Sequence, residues 1–268
     1  MWASVRPADC GERVLNSVPR MMPVDSNQDN AINVNELAEP YGVKLAAEEV
    51  CMLGRFLDLL FQANTRMNLT RIADRKQAWT RHVLDSLSVL PYLEAAGAQN
   101  MLDLGAGGGF PGLPLAIVRP DLPVTLLEAT GKKARFLAET ATAMGLDNVT
   151  VLSERAETLG SPDGGGRFAW DVVTARAVGP LRVLLELALP LVVEGGYLLA
   201  IKGERAAKEI EEAAAALRTL KATVESTCRT PSGTIVVVRR DGPIPRMYPR
   251  RPGEPAHAPI GGTPRERR

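Results

Sequence analysis

The sequence predicts an α/β protein built on one doubly wound, mostly parallel sheet, preceded by helices and closed by an antiparallel edge hairpin. Three observations predict it. From Asn100 onward, short aliphatic runs alternate with helical stretches, the pattern of successive β-α-β units. The runs are continuously apolar, as strands covered by helices on both faces require. The first run ends in a glycine-rich turn that opens a helix, the place where open α/β sheets bind ligands.

Taken in order, residues 1–40 read as a largely disordered extension. They are polar and aperiodic, with Pro7, Pro19, Pro23 and a polar run from Ser26 to Asn30, and such composition buries too little apolar surface to fold. Met21 and Met22 offer alternative starts. Residues 41–97 read as a helical segment. Leu53, Phe56, Leu57 and Leu60 share a face of a helix from Leu45 to Phe61, and Val83, Leu87 and Leu90 share a face of a second from about Lys76 to Leu93.

Residues 98–240 form the core. Its strands are Met101–Leu104, Val124–Leu127, Val149–Leu152, Asp171–Thr174 and Tyr197–Ile201. Between them fall helices over Gly112–Val118, Lys132–Met144, Leu181–Leu189 and Arg205–Leu220. Two last strands, Ala222–Arg229 and Thr234–Arg239, flank Thr230-Pro231-Ser232-Gly233 and read as the hairpin. That makes seven strands. Residues 241–268 are a basic tail rich in Pro and Arg.

Composition narrows the class. Of 268 residues 45% are hydrophobic but only 4% aromatic, so aliphatic side chains fill the core. The net charge is +1, but it is unevenly spread. Met1–Val50 holds four Lys/Arg against eight Asp/Glu, and Arg239–Arg268 holds eight Arg against three. A basic tail suits contact with phosphates, and a solvated, mobile tail accounts for the same charge. Cys10, Cys51 and Cys228 have no C-x-x-C spacing, so neither a zinc site nor a disulfide framework is expected. With no apolar run of the ~18 residues that span a bilayer and no signal-peptide pattern, the expected place is the cytoplasm.

The chemistry concentrates in Asp103-Leu104-Gly105-Ala106-Gly107-Gly108-Gly109-Phe110-Pro111-Gly112. Glycines permit a tight turn and close approach of a ligand to the backbone. Pro111 suits a first helical turn, and the helix N-terminus favours an anionic group. Gly107-x-Gly109-x-x-Gly112 also satisfies the dinucleotide fingerprint. That register starts two residues too late after the strand, and the register from Gly105 meets Phe110 at its third position. Asp103 at the strand end instead matches the first motif of methyltransferases.

Other candidates lie at strand ends. Glu128 ends the second strand, where a carboxylate accepts ribose hydroxyls. Ala156 and Glu157 follow the third, where an adenine edge belongs. Arg176 follows the fourth and is suited to clamp a carboxylate or phosphate. Lys202 follows the fifth and suits RNA phosphate. His82 and Asp85, three apart on one helix, are spaced to hydrogen-bond each other. Each of these is also an ordinary surface or structural residue when read alone. Absences inform too. An Asp/Asn-Pro-Pro-aromatic motif for amine methylation is replaced by Thr174-Ala175-Arg176-Ala177, and no Cys lies near a core strand end to attack a cytosine. A ring nitrogen with a free lone pair remains the attractive acceptor.

Together these stretches resemble the bacterial small-subunit rRNA methyltransferase G family, RsmG or glucose-inhibited division protein B. The residues that carry the resemblance are Asn68-Leu69-Thr70, His82-Val83-Leu84-Asp85-Ser86, the glycine motif through Gly112, and Lys132-Lys133-Ala134-Arg135-Phe136-Leu137. Arg155-Ala156-Glu157, Arg176-Ala177, Lys202-Gly203 and Tyr248-Pro249-Arg250 complete it. The resemblance implies a class I S-adenosylmethionine-dependent methyltransferase, Rossmann-like, acting on N7 of a guanine in 16S rRNA. It implies cofactor contacts at Asp103, Gly105, Gly107, Phe110, Glu128, Ala129, Thr130, Ala156, Glu157 and Arg176. Lys132, Lys133, Arg135, Lys202, Arg246, Tyr248, Arg250 and Arg251 are the RNA-binding candidates, with Phe110 and Tyr248 as base-stacking rings. No general base and no metal is expected, and the partner is 16S rRNA or the 30S subunit, met by a monomer. Ala106 departs from the Ser or Thr often found there, and His257 from a Lys. Three rivals share the motif: a small-molecule methyltransferase of the same fold, a regulator that binds the cofactor without turnover, and a nicotinamide enzyme.

Overall fold

The computed structural model describes residues 33–39 and 43–262. The expected disorder of the N-terminal extension therefore falls almost wholly outside the described residues, as do the last six residues of the tail.

The N-terminal helices are α1 (Val34–Ala38), α2 (Ala47–Asn64), α3 (Arg75–Ala78), α4 (Asp85–Leu87) and α5 (Leu90–Ala95). In α2 the predicted stripe of Leu53, Phe56, Leu57 and Leu60 is buried. The single helix expected from Lys76 to Leu93 is broken. Asp74 caps α3 by accepting from Gln77 N at 2.7 Å. A π-helical turn, Trp79–Leu84, then joins α3 to α4, and a further turn at Ser88 and Val89 precedes α5. Such widened turns concentrate at functional sites, and this one carries His82.

Seven strands follow: β1 (Met101–Leu104), β2 (Val124–Leu127), β3 (Val149–Leu152), β4 (Trp170–Arg176), β5 (Val192–Lys202), β6 (Ala222–Arg229) and β7 (Thr234–Arg240). They form one sheet in the order β3-β2-β1-β4-β5-β7-β6. β1 to β5 are parallel, and β7 pairs antiparallel with both β5 and β6. The helices between and after them are α6 (Gly112–Val118), α7 (Gly131–Met144), α8 (Ala156–Leu159), α9 (Leu181–Ala188), α10 (Ala206–Glu212), α11 (Ala214–Thr219) and α12 (Glu254–His257). The helix expected over Arg205–Leu220 is divided at Ala213.

Two apolar clusters cover the two faces of the sheet. One joins α2, the π turn, α6 and α7. The other joins α8, α9, α11 and, through Ile244, Tyr248 and Ile260, the tail. Residues 241–262 are thus packed along the second face rather than free. The Thr230–Gly233 turn reaches back to the first segment, since Asp85 accepts from both Ser232 N and Ser232 Oγ.

Candidate active site

The glycine turn rises from β1 into α6. Gly105, Gly107 and Gly109 have φ of +73°, +55° and +96°, backbone that only glycine enters cheaply. Gly112 is needed for space, because a Cβ there would sit 2.2 Å from Leu126 and 2.9 Å from the Asp103 carboxylate. That carboxylate accepts from Gly112 N at 2.8 Å and ties the strand end to the helix start. Asp103 is 0% exposed, and burial pushes its pKa up to about 7 against the opposing pull of the Gly112 N–H. The expectation of a cofactor contact at Asp103 is therefore corrected. With no surface of its own, it shapes the turn from beneath.

Glu128 occupies the next strand end. One carboxylate oxygen accepts from Gly107 N at 3.0 Å and the other from Thr130 N at 2.7 Å. The side chain is 7% exposed, yet each oxygen keeps a further lone pair for a hydroxyl. Ala129 and Thr130 follow on the exposed rim. Ala156 and Glu157 are buried at the end of β3. Glu157 accepts from Gly253 N at 2.9 Å, so the tail closes over this end of the site.

Arg176 ends β4 half-buried. Its Nη1 donates to the Arg81 carbonyl at 3.0 Å, and its guanidinium carbon lies 4.9 Å from the centre of the Phe110 ring, within cation–π range. His82 stacks on the same ring, with centroids 4.6 Å apart and planes inclined by 27°. Phe56 meets it at 5.0 Å. Phe110 is 4% exposed and offers no free face to a base, which corrects its expected stacking role. Tyr248, the other candidate ring, is half-buried, with one side packed against the second apolar cluster.

His82 does not bond Asp85 as its spacing predicted. Its Nε2 lies 2.7 Å from Thr70 Oγ1, while Asp85 is committed to the hairpin turn. Burial first, then the Arg176 charge, lowers the His82 pKa to about 4, so the ring is neutral at pH 7. Thr70 is itself held by Asn64, whose Oδ1 accepts from Leu69 N at 2.7 Å and Thr70 N at 2.9 Å. Asn64 was missed in the sequence; an amide at the end of an amphipathic helix is the signal that marks it.

Two RNA-binding candidates are corrected. Lys202 is 8% exposed, pairs with Glu209 at 2.7 Å and donates to the Gly179 carbonyl. Arg250 grips the fully buried Glu186 through Nε at 2.8 Å and Nη2 at 2.6 Å, with its backbone N at 3.0 Å. Both cations are consumed inside the protein. Lys132, Arg135, Arg246 and Arg251 are exposed and Lys133 is half-buried.

The glycine turn, the tethered carboxylate at the second strand end and the seven-stranded sheet with its antiparallel edge define an S-adenosylmethionine-dependent methyltransferase. The turn leaves room for backbone approach, and Glu128 keeps lone pairs for ribose, so the residues fit that cofactor. The solved structure of a putative O-methyltransferase from Klebsiella pneumoniae shares the fold, with a TM-score of 0.52 over 78% of this chain and 96% of that one at 15% identity. The family described as rRNA small subunit methyltransferase G matches residues 50–234. The Ribosomal RNA small subunit methyltransferase G of Sorangium cellulosum is 50% identical over 212 residues, 78% of this chain and 87% of its own. That of Chloroflexus aggregans is 43% identical over 231 residues, 84% and 96% of the two chains. The chain belongs to the rRNA small subunit methyltransferase G family.

Proposed function

We propose that the protein transfers a methyl group from S-adenosylmethionine to N7 of a guanine in the 16S rRNA of the small ribosomal subunit. One observation supports the choice of acceptor: the carboxylates and the imidazole nearest the glycine turn each hold a hydrogen-bond partner, His82 through one ring nitrogen only. Asp103 holds Gly112 N, Glu128 holds Gly107 N and Thr130 N, Glu157 holds Gly253 N, and His82 is tied to Thr70 with its basicity lowered. An acceptor that must lose a proton is poorly served here. Guanine N7 attacks with a lone pair and needs none removed.

When bound, S-adenosylmethionine supplies a methyl group on a positively charged sulfur. The protein's part is positioning. Glu128 accepts the ribose hydroxyls, the glycine turn lets the backbone approach, and Arg176 offers its remaining N–H donors at the end of β4. Well-oriented reactants gain roughly 7–11 kcal/mol in this way. Residues 98–240 are the methyltransferase core in this reading, 41–97 the helical segment, whose described part (43–97) closes one side of the site, and 241–268 the tail, whose described part (241–262) straps the other. A monomer in the cytoplasm suits it. Among the described residues no helix is long and apolar enough to cross a membrane.

The test is transfer of labelled methyl from S-adenosylmethionine to 30S subunits or 16S rRNA lacking the modification. Label in the RNA is the expected result. Label only in small metabolites, or cofactor bound without turnover, would replace the proposal with one of its rivals.

A further inference from the structure

The cations expected to meet RNA are not equally available, and the available ones border a groove. Along the C-terminal turns of α2, two adjoining cavities of about 280 and 320 Å³ lie in the cleft between this helix and α7. Ala63, Met67 and Phe136 give the groove an apolar lining, and Arg66, Lys132 and Arg135 line it with positive charge. No ion pair among the described residues occupies these three cations, in contrast to Lys202 and Arg250. Glu139 is the one carboxylate lining both cavities, so three positive charges face one negative.

The groove adjoins the cofactor turn. Lys132 stands two residues after Thr130, whose N–H is held by Glu128. On the other wall, the chain leaving α2 packs on the glycine turn: a Cβ on Gly108 would lie 3.2 Å from Leu60 and 3.5 Å from the Leu69 carbonyl. A strand lying in the groove therefore runs toward the site. The exposed tail arginines, by contrast, belong to the segment packed on the opposite face of the sheet.

We propose that this groove is the track for the single-stranded RNA flanking the target guanine, with Arg66, Lys132 and Arg135 each neutralising a phosphate. It rests on the reading of the protein as an rRNA methyltransferase. A single strand suits a narrow positive groove with an apolar lining, because its backbone carries the charge while its bases need apolar contact. Arg66, invisible as a candidate in the sequence, is the residue that turns one basic helix end into a two-walled groove.

The experiment uses the full chain with 16S rRNA lacking the modification, both deproteinised and within 30S subunits. Wild type, Arg66→Gln, the triple variant Arg66→Gln/Lys132→Gln/Arg135→Gln and the distant control Arg218→Gln are compared. S-adenosylmethionine binding is measured by calorimetry, and methyl transfer over a range of salt. Each phosphate left without its cation takes about 0.7 off the salt slope on single-stranded RNA. The triple variant is expected to flatten the slope by about 2 and raise the KM for RNA by about 10- to 100-fold. Its kcat at saturating RNA and its cofactor Kd are expected to stay within about two-fold of wild type, as loss of uniform binding requires. Arg66→Gln alone gives about a third of the slope change and reports on the groove independently of the triple variant's fold. Wild-type label in RNA together with an unchanged slope in both variants would overturn the groove alone. Absence of wild-type label in RNA would overturn the functional reading, and the groove with it.

Discussion

The two flanks of the sheet both carry cations, and they use them differently. On the flank of α2 and α7, Arg66, Lys132 and Arg135 stay unpaired among the described residues, around a groove that adjoins the glycine turn. On the flank of α9 and the tail, Arg250 is spent on the fully buried Glu186, and at the end of β5 Lys202 is spent on Glu209. Local charge along the sequence treats these residues alike. Burial separates them, because a buried carboxylate must recruit a cation or lose its charge. The lesson is that a basic tail is not the same thing as an RNA-binding tail. Here the tail's principal arginine is a structural clamp.

The comparison breaks most visibly at the clamp. Arg250→Ala leaves Glu186 buried without a partner and is expected to cost about 3–5 kcal/mol in urea denaturation. Glu186→Gln/Arg250→Met, which removes both charges and keeps an acceptor for the Arg250 amide, is expected to recover most of that loss. A stability unchanged in Arg250→Ala would show the pair to be dispensable. Lys202→Met comes next, at about 1.5–3 kcal/mol, since Glu209 keeps the Leu181 N–H as a partner. Its RNA salt slope is expected to match wild type, and a flattened slope would return Lys202 to the RNA surface.

The site itself gives a signature in pH. The native pKa of Asp103 is about 7 against an ordinary 3.8. Between those values the folded state keeps a proton that the unfolded chain has released. This contribution is full below 3.8 and is lost as pH rises through 7. Asp103→Asn is therefore expected to gain stability relative to wild type as the pH rises from 4 to 7. His82 acts in the opposite direction. Its native pKa of about 4 lies below the ordinary 6.5, so its contribution is present above 6.5 and lost as pH falls through 4. His82→Phe is expected to flatten the rise of stability between pH 4 and 6.5 by one proton's worth. Parallel curves for mutant and wild type would contradict either assignment. The smallest effect belongs to Arg246→Gln/Arg251→Gln. It is expected to change the salt slope by less than the single groove substitution Arg66→Gln, and a larger change would move the RNA track to the tail.

Most of the architecture was legible because its signals are local. The aliphatic runs at Met101, Val124 and Val149 begin and end where β1, β2 and β3 do, since strands of a helix-covered parallel sheet read as mostly apolar runs. Where the signal was not local, the reading failed. β5 starts at Val192, before Glu194-Gly195-Gly196 interrupts its pattern, and Gly195 enters with φ of +79°. The alanine-rich stretch after Arg205 concealed the break at Ala213, because alanine is compatible with helix on either side. The π turn hid likewise. Three-residue spacing put His82 beside Asp85, whereas the widened turn sends one side chain to Thr70 and the other to Ser232, 147 residues along the chain.

The candidate site was legible to the same degree. Glycine turn, Glu128, Ala156, Glu157 and Arg176 were marked by their places at strand ends, which topology dictates. The partners of Lys202 and Arg250 were not. Glu186 lies 64 residues from Arg250, and nothing in either stretch announces the other. Arg66 was missed for the converse reason, since its role depends on α7 lying across from it.

The most direct test of the proposed chemistry reads the position of methylation. Small-subunit RNA treated with the protein and S-adenosylmethionine is reduced with borohydride and cleaved with aniline, chemistry that cuts at N7-methylguanine. One new cut is expected at a single guanine of 16S rRNA, absent without protein. Methyl label in the RNA with no such cut would place the methyl on another atom, and would contradict the claim that the site serves an acceptor needing no base.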